Sequence, residues 1–136
     1  MKPAGYSGTP LIKKLGINPS TKILVLNGPD NYAELLETDI SHQIITRKSV
    51  PDLVNLFAKN YAAFVKGMND ILPLFKKNPG MVLWVSWYKK SSGISTDISE
   101  DTIRDFALAH DLVDVKVCAV SEHWSGLKLV MRVEKR

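Results

Sequence analysis

The stretch DLVNLFAKNYAAFVKGMNDILPLFKKNPGMVLWVSW, Asp52 to Trp87, decides the fold. Asp52 to Ala58 reads as a strand, and Pro51 in front of it argues against helix at that point. Tyr61, Phe64, Val65, Met68, Ile71, Leu72 and Phe75 then recur at three- and four-residue steps, the apolar stripe of an amphipathic helix. Pro73 lies late in that stripe and kinks or ends the helix nearby. The turn KKNPGM leads into a second strand, MVLWVSW, whose Trp84 and Trp87 face opposite sides. Strand, helix and strand make a parallel crossover unit, so the chain is α/β.

Working outward, Lys22 to Asn27 (KILVLN) is nearly continuous in apolar residues, as expected of a strand covered on both faces. Before it, Thr9 caps a short helix over about 10–15, Pro10 takes its first position and Gly16 its left-handed stop. Leu11, Ile12 and Leu15 form the buried side of this helix, with Lys13 and Lys14 in solvent. Tyr32 to Leu36 forms a brief helix, and His42 to Thr46 (HQIIT) is a further strand candidate. Thr46 and Asp52 are six steps apart, a reach of at most about 20 Å, whereas a parallel crossover takes a dozen or more residues. The 42–46 strand is therefore either not adjacent to the next one or an irregular edge element. Ser99 caps a helix through about His110, and VDVKVCAV and LKLVMRV flank SEHWSG as an antiparallel hairpin. The expectation is one domain over residues 1–136: a Rossmann-like, mostly parallel sheet with helices on both faces and a C-terminal antiparallel hairpin.

Composition narrows the function classes. Hydrophobic residues make up 45% and charged residues 24%, a globular balance that excludes disorder. The net charge of +4 and pI near 9.2 favour anionic partners mildly, but acids interleave with bases, and no aromatic–basic stacking pattern points to nucleic acid. Cys118 is the one cysteine, so no internal disulfide forms. Its setting, VKVCAV, reads as a buried strand position, and the expected compartment is a reducing cytoplasm. No apolar run reaches the length of a membrane span. His42, His110 and His123 stand far apart with no pair at metal-ligand spacing, so no metal is expected. His110 falls at a helix end, where it complements the dipole. There is no G-x-S-x-G elbow and no G-x-x-x-x-G-K-[ST] phosphate loop.

Two resemblances follow from these motifs. From Tyr61 onward, the helix, the Lys77 to Gly80 turn, the strand Val82 to Trp87, the helix and the terminal hairpin resemble the second half of the class I methyltransferase fold. Over almost its whole length the chain also resembles a family of small bacterial proteins known only as a domain of unknown function. That resemblance is carried by Gly5 to Ile17 (GYSGTPLIKKLGI), Leu83 to Asp101 (LWVSWYKKSSGISTDISED) and Leu112 to Val130 (LVDVKVCAVSEHWSGLKLV), and it implies no activity. The methyltransferase resemblance implies a glycine-rich turn after the first strand and an acid after the second, to hold the cofactor's ribose. The chain instead offers Gly28 followed by Pro29, which has no N–H, and Arg47 and Lys48 after IIT. S-adenosylmethionine is therefore disfavoured as a cofactor. An Arg at that point suits either a ribose phosphate or a solvated strand end.

What remains is the C-terminal edge of the sheet, where open α/β folds take ligands. Asn27 and Gly28, Lys59 and Asn60, and Lys89, Lys90, Ser91 and Ser92 all leave strands there. Provided they converge, they suit a small anionic molecule; the competing reading is lysines solvating loops. Glu100 and Asp101 in the first turn of the Ser99-capped helix disfavour an anion at that helix tip, so the 89–93 loop would act as a flap. Trp124, beside His123 in the hairpin turn, would mark a contact surface for self-association through the hairpin. The expected function is a non-catalytic or regulatory binding module for a small anionic ligand or a protein partner. The alternative is an enzyme of methyltransferase-like ancestry with a rebuilt site using Asn27, Lys89 or His123.

Overall fold

In the computed structural model, which describes residues 10–46 and 49–136, β2 (Leu53–Ala58) is the strand around which the sheet is built. It lies parallel to both β1 (Ile23–Leu26) and β3 (Val82–Tyr88), and all six of its residues are buried. Burial on both faces is why LVNLFA is apolar throughout rather than alternating. Beyond β3 the sheet turns antiparallel: β5 (Trp124–Met131) pairs with β3, and β4 (Leu112–Ala119) forms the outer edge. The order β1-β2-β3-β5-β4 is a mixed sheet, parallel from β1 to β3 and antiparallel from β3 onward, with the closing hairpin that the sequence implies.

One face is covered by α3 (Tyr61–Ile71), α4 (Leu74–Lys77) and α5 (Glu100–Ala109). Phe64, Met68, Ile71, Phe75, Ile103 and Ala107 pack there on Val54, Leu56, Leu83, Val85, Leu127 and Leu129. Pro73 ends α3 and caps α4, because it has no N–H to continue the ladder. Ser99 and Thr102 exchange side-chain and backbone bonds across the start of α5, a capping box. On the other face, α1 (Leu11–Lys14) and α2 (Tyr32–Leu36) seat Leu11, Leu15, Tyr32 and Leu36 against Leu53, Phe57 and Trp84. Trp84 and Trp87 fall into the two separate cores, as their spacing predicts.

Several expectations need correction. Thr9 lies outside the described residues, and Pro10 is the cap of α1 (φ −58°, ψ 145°) rather than its first residue. Gly16 does adopt the left-handed stop at φ 79°, letting Ile17 N–H reach back to Ile12 O at 3.0 Å. His42 to Thr46 is no strand. Ser41–Gln43 makes a 3₁₀ turn, and Ile44 forms a single parallel bridge to Ile23. Buried Gln43 explains this, since its Nε2 donates to Asn18 O and Thr21 O at 2.7 and 3.0 Å and pins the segment by a side chain. Both alternatives hold at once: the segment lies beside β1 and not beside β2, and it is an irregular edge element. Cys118 is only partly buried, because β4 is the outermost strand; Val115 and Val117 on it are 52% and 50% exposed. No helix among the described residues is long and apolar enough to cross a membrane.

Candidate functional site: a lysine-lined cleft

Trp84 organises the site. Buried in β3, it needs a partner for its indole N–H and finds the Leu15 carbonyl at 3.0 Å, which fixes the end of α1 against the sheet. Over the same ring lies Lys116 of β4, its Nζ 5.9 Å from the centroid. Lys13 and Lys14, in the last turn of α1, are thereby brought beside the hairpin. They meet Lys89, which leaves β3 with its backbone held firmly: its N–H donates to His123 O at 2.9 Å, and its carbonyl accepts from Ser92 Oγ at 2.6 Å.

Together Lys13, Lys14, Lys89 and Lys116 line a cleft of about 680 Å³, walled by Trp87, Cys118 and Ser125. Glu100 is the one acid among the described residues lining it, and that carboxylate is taken by Arg104, which also holds Asp101 at 2.7 Å and Asp114 at 3.1 Å. Among the described residues none of the four lysines forms an ion pair with an acid. The electrostatics record the crowding. Lost hydration, then repulsion from Lys14, lowers the Lys89 amine below its ordinary range, with Glu122 opposing. Burial raises the Cys118 thiol, while Lys14 and Lys116 pull it the other way.

The strand exits named from sequence do not form one site. Asn27, Gly28, Lys59 and Asn60 do come together, in a separate cleft of about 500 Å³ with Lys66 and Asp70. Lys90 and Ser91 line a third hollow, which Lys89 also borders. Ser92 is spent on the turn: its hydroxyl donates to Lys89 O and accepts from Ile94 N–H. Trp124 is not an exposed contact residue. It is 7% exposed, stacked on Tyr88 at 4.3 Å and edge-on to Phe57 at 5.0 Å, because it opens β5 on the inward side. His123 is exposed, with Nε2 3.5 Å from Glu122 Oε1. His110 sits at the C-cap of α5, its Nδ1 2.8 Å from Phe106 O. The sequence places Lys13 and Lys14 in solvent, and Lys13 is indeed exposed while Lys14 is half-buried; it assigns no role to Lys116 and Ser125. The one signal pointing to Lys116 was its alternation with Cys118 on β4; nothing local announced that α1 docks beside them.

The Asn27 cleft lies where the methyltransferase resemblance puts a cofactor, but its residues do not fit S-adenosylmethionine. Asn27, not a glycine, takes the left-handed conformation at φ 57°, and Pro29 has no N–H to offer. The positive end of α3 is already covered: Asp97 Oδ1 accepts from Tyr61 N–H at 2.7 Å and Asn60 Oδ1 from Ala63 N–H at 2.8 Å. The strand that would carry the ribose-binding acid is reduced to the Ile44 bridge; Arg47 and Lys48 lie outside the described residues.

No protein-family model matches the chain, and no curated protein does, so the resemblance to a domain of unknown function gains no support there. Solved structures are similar in fold. A crystal structure of a protein in the NADB-Rossmann superfamily from Streptococcus agalactiae aligns with TM-score 0.54 at 8% identity, over 94% of this chain and 70% of that one. A B. subtilis tRNA methyltransferase aligns with TM-score 0.52 at 11% identity, over 94% and 68%. A putative type 11 methyltransferase from Sulfolobus solfataricus gives 0.51 at 15%, over 82% and 85%. The fold is thus Rossmann-like and methyltransferase-like.

Proposed function

We propose that this protein is a binding module for a small molecule carrying two or more adjacent negative charges, held in the cleft of Lys13, Lys14, Lys89 and Lys116. The supporting observation is the convergence of four lysines with no acid paired to any of them among the described residues. A cleft of one sign focuses its field on a counter-ion. Magnitude decides the ligand class: an exposed ion pair contributes roughly 0.2–1 kcal/mol, so one lysine holds nothing. Several acting together approach the roughly 4 kcal/mol of a millimolar complex, which requires a ligand that meets several at once. Inorganic pyrophosphate is the simplest probe. It is expected to raise the melting temperature of the wild-type chain and not that of a Lys14→Ala/Lys116→Ala variant. An equal shift in both would overturn the reading.

A second reading, an enzyme of methyltransferase-like ancestry with a rebuilt site, is favoured by one observation: Asn27, Gly28, Lys59 and Asn60 do share a cleft at the ends of β1 and β2. Millimolar S-adenosylmethionine or S-adenosylhomocysteine raising the melting temperature would show that the cleft still takes the cofactor despite the misfit described above, and no shift would remove methyl transfer from this reading.

A further inference from the structure

We propose that Lys89 is a nucleophilic amine that condenses with the carbonyl group of an anionic aldehyde or ketone seated in the lysine cleft. The inference rests on the anion-binding reading for its ligand, but the reactivity of the amine is a property of this chain alone. A lysine becomes a nucleophile at ordinary pH when it is partly desolvated and placed beside another cation. Lys89 has both conditions. It stands at the mouth of β3 in the cleft with Lys14 and Lys116, and its backbone is anchored at both N–H and carbonyl, so the amine is presented from a fixed stem. The charged and titratable groups lining the two hollows it borders are Lys13, Lys14, Lys90, Lys116, Cys118, Asp97, Glu100 and Asp101, and Glu122 acts on it from the hairpin turn. Glu100 and Asp101 are held by Arg104 and Asp97 accepts from the Tyr61 N–H, so Glu122 is the acid that opposes Lys14 at the amine. The lowered affinity of Lys89 for its proton agrees with that placement.

The step balances without a further reactant. The Nζ lone pair attacks the carbonyl carbon, and the carbonyl oxygen departs as water with both protons of the neutral amine, leaving an imine. The flanking lysines would hold the ligand's phosphate or carboxylate and so place its carbonyl beside Nζ.

The test is reductive trapping on the wild-type chain, with labelled lysines located by peptide mass spectrometry. One arm uses propanal with cyanoborohydride, a neutral aldehyde that needs no anion site. Labelling severalfold faster at Lys89 than at the exposed Lys76 and Lys77 is expected; equal rates would overturn the proposal. The second arm uses pyridoxal 5′-phosphate with borohydride, with and without inorganic pyrophosphate. Preferential labelling of Lys89, suppressed by pyrophosphate, is expected. If Lys89 leads with propanal yet pyrophosphate protects nothing, the amine is reactive but the anion-binding reading fails, and with it the ligand class proposed here. If pyrophosphate binds by melting shift yet Lys89 reacts no faster than its reference lysines, the anion site stands and the nucleophile is refuted.

Discussion

Trp84 Nε1 donates to the Leu15 carbonyl at 3.0 Å across 69 positions of sequence, and this bond joins α1 to the sheet directly beneath Lys116. It makes the site dependent on a buried contact that no cleft lysine takes part in. Trp84→Phe keeps an aromatic ring but leaves the Leu15 carbonyl without its donor. A buried group left so costs about 1–3 kcal/mol. Urea unfolding is expected to show that loss, and pyrophosphate titration a weaker affinity, because Lys13 and Lys14 lose their anchor. A stable variant with unchanged affinity would contradict the dependence.

The anion site titrates early. Because Lys89 gives up its proton below the ordinary lysine value of 10.5, and an anion favours the charged amine, anion affinity should be full below the Lys89 pKa. It should fall as pH rises through that lowered value, ahead of the decline set by ordinary lysines. In stability the sign is opposite to a favourable ion pair: folding opposes the charged form of Lys89, and that opposition fades as pH rises. Calorimetric titrations from neutral pH up to the ordinary lysine value, with methanedisulfonate as a ligand whose charge is constant there, would check the first point; affinity that holds until ordinary lysines titrate would contradict it.

Tyr32 sets an alkaline limit. Its hydroxyl donates to Asn55 Oδ1 at 3.3 Å, and Asn55 Nδ2 donates in turn to Ser86 Oγ at 3.1 Å, so the buried polar groups satisfy one another. Burial raises the phenol above its ordinary 10.0. The unfolded chain therefore loses that proton first, and stability, whole below pH 10, falls as pH rises beyond it. Tyr32→Phe is expected to cost about 0.5–1.5 kcal/mol at neutral pH and to flatten the alkaline fall seen in denaturant melts.

Gly67 lies where α3 presses on β2. A Cβ there would come within 2.5 Å of Leu56 Cδ1, and Leu56 is wholly buried. Overpacking costs roughly 1–3 kcal/mol, against about 1 kcal/mol gained in helix propensity on going from glycine to alanine. Gly67→Ala should therefore be destabilising in urea; a more stable variant would show that Leu56 has room to move.

The strands, the apolar helix stripe and the hairpin were legible because each follows from local periodicity. The Pro73 break, the Gly16 stop and the Ser99 cap were legible from single residues. The 42–46 segment was not, because a glutamine side chain bonding to distant carbonyls replaced the ladder that IIT suggests. Trp124 and Cys118 were misread for one reason: strand order, not sequence pattern, decides that β5 is interior and β4 is the edge. The lysine cleft was half legible. Lys89 was named from its strand exit, whereas Lys14 and Lys116 join it through a tertiary contact that leaves no mark in the chain.

The most direct measurement is an NMR titration of the isotopically labelled chain with inorganic pyrophosphate, following backbone amides and lysine side chains together. Saturable shifts concentrated at Lys14, Lys89, Lys116 and Ser125, with Asn27, Lys59 and Asn60 unmoved, are the predicted result. Shifts confined to Asn27, Lys59 and Asn60, or small shifts spread over all surface lysines, would contradict it.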